Sequence, residues 1–233
     1  MINARKLPAP HKYAVCANED IPIKEFYKGV YQEIFIFYHP FIKPKTIDYA
    51  LFNPDTFPSK NEILKNCEMV SWGDFLKISG IKNLKQLDIG LRTLIMGLNK
   101  KFANEYVAEV IQRTCEENQI VPPVEGTFPE FLINNILYNI KKIGYEWIWC
   151  GDEFCTERKL EYIDDLIESE HIFCNQPINL FTHDNKILIT THWDSHFSLI
   201  CSDKETVGKI VDLCQLEGFY CDEYTKIYWS LFN

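Results

Sequence analysis

The chain has 233 residues and is 46% hydrophobic, 24% charged and 14% aromatic, which supports a buried core and excludes a disordered chain. Its 24 basic and 33 acidic residues give a net charge of −9; this disfavours nucleic-acid binding and suits a protein partner with a basic surface. No run of 18 apolar residues exists and residues 1–20 hold no apolar signal core, so neither a transmembrane helix nor a secretory leader is expected.

Residues 31–38 are rich in Ile, Phe and Tyr and predict a strand closed by His39-Pro40. Pro44, Pro54 and Pro58 mark an irregular connection. Ser59-Lys60-Asn61-Glu62 is a capping box that starts a short helix. Ser71 caps a helix over 72–78, which Gly80 ends. Leu84, Leu87, Leu91, Leu94, Ile95 and Leu98 have helical spacing, and Phe102, Tyr106, Val110 and Ile111 carry an apolar stripe into the next helix. Residues 121–126 form the clearest loop. Thr127-Phe128-Pro129-Glu130 reads as a further capping box, for a helix to about Lys142. A short strand over 145–149 and an acidic amphipathic helix over 156–169 follow.

From residue 178 onward the pattern changes. Strands are expected over 178–183, 186–192 and 196–201, then a capping signal at Ser202-Asp203-Lys204-Glu205. Val207, Ile210, Val211 and Cys214 share one face of the next helix, Gly218 stops it, and strands over 219–221 and 225–231 finish the chain. The fold class is α+β: a helical middle region and a C-terminal antiparallel β-β-β-α-β-β unit. The chain is read as one domain over 1–233; the alternative division is a mostly helical 1–175 and a β-rich 176–233.

Nine cysteines, an odd number without a Cys-x-x-Cys, predict reduced thiols in a cytoplasmic protein. Gly151-Asp152-Glu153-Phe154 spells most of the diguanylate cyclase signature, but Cys150 stands at the first glycine and the segment is expected to lead into a helix. Residues 72–97 superficially resemble a helix-turn-helix, with Lys85, Gln86, Asp88 and Arg92 on the second helix; a helix hairpin of core type is the simpler account. Trp147 and Trp149 share a strand face, read as core packing rather than a pocket lining. No P-loop, Rossmann glycine pattern, Gly-x-Ser-x-Gly elbow or His-Glu-x-x-His helix is present.

The candidate site is His192-Trp193-Asp194-Ser195-His196. A three-residue hairpin loop would set His192 opposite His196, Thr190 opposite Ser198 and Leu188 opposite Ile200. The other face, with Ile187, Ile189, Thr191, Phe197, Leu199 and Cys201, would then be the core face. Opposed imidazoles could share a divalent metal, with Asp194 adding an oxygen or acting as general base. Trp193 and Ser195 are the accompanying binding candidates. The plainer account is a structural turn.

Ile187–Phe197, with Leu216-Glu217-Gly218-Phe219-Tyr220-Cys221 after the helix, resembles an uncharacterised family of Bacillus-type bacterial proteins over most of the chain. The resemblance implies a bacterial, cytoplasmic protein and transfers no catalytic residue. The leading expectation is a non-catalytic binding or regulatory protein with an acidic surface. The alternative is a metal-dependent hydrolase with its site at the hairpin tip.

Overall fold

In the computed structural model, which describes residues 11–170 and 179–231, helix starts follow local capping chemistry. A short helix α1 (Ile23–Phe26) precedes β1 (Glu33–Tyr38) and β2 (Phe41–Pro44). Helix α2 (Lys60–Asn66) begins at Ser59, where the reciprocal bonds of the capping box to Glu62 are both made. Strand β3 (Cys67–Val70) turns back on β2, with Phe41 opposite Val70. Helix α3 (Trp72–Ser79) is capped by Ser71 and ended by a left-handed Gly80. Two more donors of its first turn, the Trp72 and Gly73 N–H groups, each reach the Glu217 carboxylate at 2.7 Å, a charge the helix dipole favours there. Asn83 caps α4 (Leu84–Leu94) and Asn104 caps α5 (Glu105–Asn118).

Helix α6 (Glu130–Ile143) leads to the hairpin of β4 (Trp147–Gly151) and β5 (Arg158–Tyr162), then to α7 (Ile163–Glu168). Beyond the described break come β6 (Asn179–Phe181), β7 (Leu188–Thr191), β8 (Phe197–Ser202), α8 (Lys204–Cys214) and β9 (Gly218–Tyr220). Residue 178 and the 175/176 boundary lie outside the described residues. No described helix is long and apolar enough to cross a membrane.

Seven strands form one antiparallel sheet in the order β5-β4-β6-β7-β8-β1-β9. Strand β1 therefore leaves its sequence neighbours and lies between two strands of the C-terminal region. At Gly218 the β9 backbone comes so near β1 that a Cβ would stand 1.8 Å from the Ile36 carbonyl oxygen. One sheet face, with Ile34, Ile36, Leu188 and Leu199, packs on Trp72, Phe75, Leu87, Leu91 and Ile111. The other, with Phe35, Phe37, Ile189 and Ile200, packs on Ile133, Ile136, Ile163, Val207 and Ile210. The α+β class stands, with helices on both faces of an antiparallel sheet.

Several expected elements differ. Residues 156–169 are not one helix but β5 followed by α7. The cause is Asp152, which accepts from the Thr156 and Glu157 N–H groups and turns the chain into a hairpin. Helix α6 starts at Pro129 rather than Thr127, because the residue before a proline is kept out of helical conformation. Helix α4 ends at Leu94, and Phe102 precedes α5, whose core stripe of Val107, Val110 and Ile111 leaves Tyr106 exposed. The last strand of the β-β-β-α-β-β unit, 225–231, is a run of turns. Its backbone is bent by Asp222, which accepts from the Tyr224 and Thr225 N–H groups.

The β7–β8 register is one residue away from the expected one: Thr191 pairs with Ser198 and Leu188 with Cys201. The expected register assumed that one sheet face is wet. Both are covered, and β7 and β8 are buried at every position, so alternation carries no register signal.

Candidate functional site

The one-residue shift lengthens the β7–β8 connection and removes the His192–His196 pairing. The turn is closed by the Ser195 N–H and hydroxyl, both donating to the His192 carbonyl at 3.1 and 3.0 Å. The His196 carbonyl instead accepts from the His39 N–H at 2.9 Å. Only Trp193 projects into solvent; His192, Asp194, Ser195 and His196 are all buried. The tip is enclosed by residues 11–20, α4, loop 122–127 and the C-terminal turns. Loop 122–127 is pinned by Gly126, whose N–H donates to the Ser195 carbonyl at 3.0 Å. A Cβ on Gly126 would stand 2.5 Å from the Trp193 carbonyl oxygen.

His192 lies between two carboxylates. Its Nε2 is 2.8 Å from Glu19 Oε1, and its Nδ1 contacts Asp194 Oδ1. Asp194 also accepts from the Tyr228 hydroxyl at 2.8 Å and from Arg92 Nη1 at 3.3 Å. Burial pushes the Asp194 carboxyl up, but His192, Tyr228 and Arg92 together hold it below the usual carboxylate range. Donor atoms of Glu19, His192 and Asp194 fall within 4.8 Å of one another.

Arg92 organises the layer beneath. Its Nε donates to Asp88 Oδ2 at 3.1 Å, Nη1 to the Asp194 carbonyl at 3.1 Å, and Nη2 to the Ile227 carbonyl at 3.1 Å. The guanidinium carbon sits 4.6 Å from the centre of the Tyr228 ring. Asp88 also accepts from the Ser230 hydroxyl. Asp88 and Arg92 are both fully buried, so the helix-turn-helix reading loses two of its four polar reading residues to the core.

His196 faces a different neighbourhood from His192. Burial, then the Arg92 charge, pushes its pKa down to about 3, against a smaller opposite pull from Asp194. Burial and the neighbouring His196 do the same to His39, also to about 3. His39 Nε2 meets Ser198 Oγ at 2.7 Å. Among the expected residues, then, His192 and Asp194 come together, while His196 turns to His39. The Ser195 hydroxyl is spent on the backbone carbonyls of His192 and Phe197.

Gly151-Asp152-Glu153-Phe154 sits on the β4–β5 hairpin rather than at a helix start. Both Asp152 oxygens accept backbone N–H groups within that turn.

Loop 122–127 also borders a cleft of about 810 Å³, floored by Phe52, Phe57, Ile95, Val121 and Phe128. Its polar groups are largely committed. The Lys60 ammonium donates to Asn134 Oδ1, the Leu166 carbonyl and the Ile167 carbonyl at 3.0, 2.9 and 2.9 Å. Ser59 is held by Glu62, and Asn53 by Ala50 and Thr56. Two carboxyl groups and the Thr127 hydroxyl remain. Burial pushes Glu130 up to about 7, opposed only by its own backbone N–H. Glu125 is raised by burial and then by the charge of Asp194.

A family model described as a protein of unknown function, DUF2711, matches residues 19–231. The chain belongs to the DUF2711 family. The DUF2711 match spans Glu19, Arg92, Glu130, His192 and Tyr228, so both the hairpin network and the cleft lie inside it. A relative from Bacillus subtilis (strain 168), named uncharacterized protein YwbB, is 21% identical over 224 residues, covering 91% of this chain and 96% of that protein. No solved structure matches. These findings bear out the resemblance to an uncharacterised Bacillus-type family.

The charged pair Asp88 and Arg92, one helical turn apart among Leu84, Leu87 and Leu91, is a signal that sequence reasoning passed over: two charges on an apolar stripe point to a buried network. Nothing local in the sequence points to Glu19 or Tyr228.

Proposed function

We propose that the protein is a non-catalytic binding protein that takes a small, largely apolar molecule in the cleft beside loop 122–127. The observation that carries this reading is the cleft itself: about 810 Å³, within the roughly 300–1,000 Å³ of small-molecule sites, apolar in its walls and sparing in free polar groups. A cytoplasmic setting belongs to the same reading, supported by eight free cysteines among the described residues. So does a single α+β unit, supported by the position of β1 between β8 and β9.

A neutral apolar fluorophore, N-phenyl-1-naphthylamine, tests it. Saturable binding near one dye per chain is expected. Val124→Trp, which enlarges an exposed lining residue, should weaken binding at least tenfold at unchanged melting temperature. No saturable binding to the native chain, or equal binding to the variant, would overturn the reading.

A second reading, a metal-dependent hydrolase, is favoured by the close donor atoms of Glu19, His192 and Asp194. One ion can take only one ring nitrogen. Glu19 and Nε2 would hold a divalent cation, while Asp194 on Nδ1 orients the ring as carboxylates do behind metal-bound histidines. The 2.8 Å Glu19–Nε2 separation must widen, since two donors each about 2 Å from a tetrahedral ion lie about 3.3 Å apart. Glu19 is partly exposed and has room to do so. Asp88 and Asp194 face the Arg92 guanidinium and Glu19 faces His192, so three carboxylates share one fixed positive charge and added positive charge is favourable there. A bound cation would supply Lewis acidity and a water of lowered pKa. Elemental analysis of tag-free, chelator-free protein should find near-stoichiometric zinc, manganese or iron, lost in His192→Ala. Metal-free native protein would end this reading.

A further inference from the structure

The walls of the cleft are apolar, and beside the Thr127 hydroxyl the polar groups left to meet a ligand are two carboxyls. Lys60, the one cation of the lining among the described residues, places its ammonium on an amide oxygen and two backbone carbonyls. An ammonium has three N–H donors, so this one is saturated and offers the ligand only its aliphatic stem. Ser59 and Asn53 are likewise occupied by local bonds. Glu130, at the start of α6, and Glu125, in loop 122–127, have no side-chain partner among the described residues. A neutral apolar ligand would leave the Glu130 carboxyl without a partner, while Glu125 stays exposed to water; an anionic ligand would be repelled. An apolar body ending in a positive charge satisfies walls and carboxyls together.

On this basis we infer that the ligand is a hydrophobic amine, its ammonium paired with Glu130 and its apolar part lying on Phe52, Phe57 and Ile95. The inference rests on the cleft being the binding site and adds the chemical class of its occupant. Ionisation of Glu130 is then part of binding. The titratable group that faces it is Cys67 on β3, whose thiol is raised by burial and by Glu130 itself; Lys60 on α2 and Glu125 line the same cleft. An ammonium favours the ionised form of Glu130, so affinity should fall as pH drops below about 7. A ligand that accepts a hydrogen bond from the protonated carboxyl would show the opposite slope.

The test compares 2-(naphthalen-1-yl)ethylamine with its isosteric alcohol, 2-(naphthalen-1-yl)ethanol, on the full chain by calorimetry. At pH 7.5 the amine should bind at least tenfold more tightly. Glu130→Gln should abolish that advantage, with an unchanged melting temperature showing the variant to be folded. The advantage should shrink between pH 7.5 and pH 5.5. Equal affinity for amine and alcohol, or an advantage that survives Glu130→Gln, would overturn the amine assignment and leave the cleft reading standing. Binding of neither compound, with no saturable binding of N-phenyl-1-naphthylamine, would overturn both.

Discussion

Arg92→Ala is expected to destabilise the fold by roughly 3–5 kcal/mol, the usual result of removing one member of a buried ionic network. The guanidinium bonds Asp88, Asp194 and the Asp194 and Ile227 carbonyls without any exposure of its own. Alanine would strand the Asp88 carboxylate, which already has one unpartnered buried oxygen, with only Ser230 for company. It would also loosen the C-terminal turns from α4, since Ile227 and Tyr228 both rest on this side chain and only the Ser230–Asp88 bond would be left of these ties. Domains of this kind are stable by only about 5–15 kcal/mol, so much of the margin goes. Arg92→Lys should recover little of it. An ammonium is a compact charge with three donors at one point and cannot reach all four acceptor groups that the planar fork spans. Urea unfolding of the two variants beside the native chain measures this. A loss below about 1 kcal/mol for Arg92→Ala would mean that water replaces the guanidinium, and that the network is not sealed.

What could be read in advance divides along the distance over which each interaction acts. The caps at Ser59, Ser71 and Asp203 are local hydrogen bonds, written within four residues, and each begins a helix in the structure. Strand β1 was legible from its dense apolar residues. Its insertion between β8 and β9 was not, because that pairing depends on residues about 165 positions apart in sequence. The hairpin register failed for a different reason. Thr190 and Thr191 are both buried, so a pattern meant to separate core from solvent had nothing to separate. The hairpin tip was legible as a run of polar residues, but not which side chains gather there. Glu19 enters from a segment with no periodic signal, while His196 is drawn off to His39 by the longer turn. The cleft was beyond local reading as well, since residues near 52–60, Ile95 and loop 122–127 meet only after the sheet and helices are assembled.

The second large effect is on acid stability, and its sign follows from two histidines and one carboxyl. His39 and His196 have native pKa values near 3, below their ordinary 6.5. Between those values the unfolded chain binds more protons than the native one, so stability falls as pH falls. Each fully buried imidazole contributes a slope of about 1.4 kcal/mol per pH unit. Glu130 acts in the other direction: its native pKa near 7 exceeds the ordinary 4.5, so native protein gains stability as pH drops through that window. From pH 6.5 to 4.5 the three groups together should cost about 3 kcal/mol, because one histidine offsets the carboxyl and the other acts alone. Below pH 4.5 Glu130 no longer compensates, and the slope should approach about 2.7 kcal/mol per unit. The lowered Asp194 carboxyl adds a further loss in more acid solution, as pH falls below its ordinary 3.8. The decisive comparison is the double variant His39→Gln/His196→Gln, followed by urea unfolding between pH 6.5 and 4.5. With only Glu130 left of the three, its stability should rise on acidification where that of the native chain falls. Parallel slopes in the two proteins would show that these imidazoles take up protons in the folded state, and that water reaches the space between β1 and the hairpin tip.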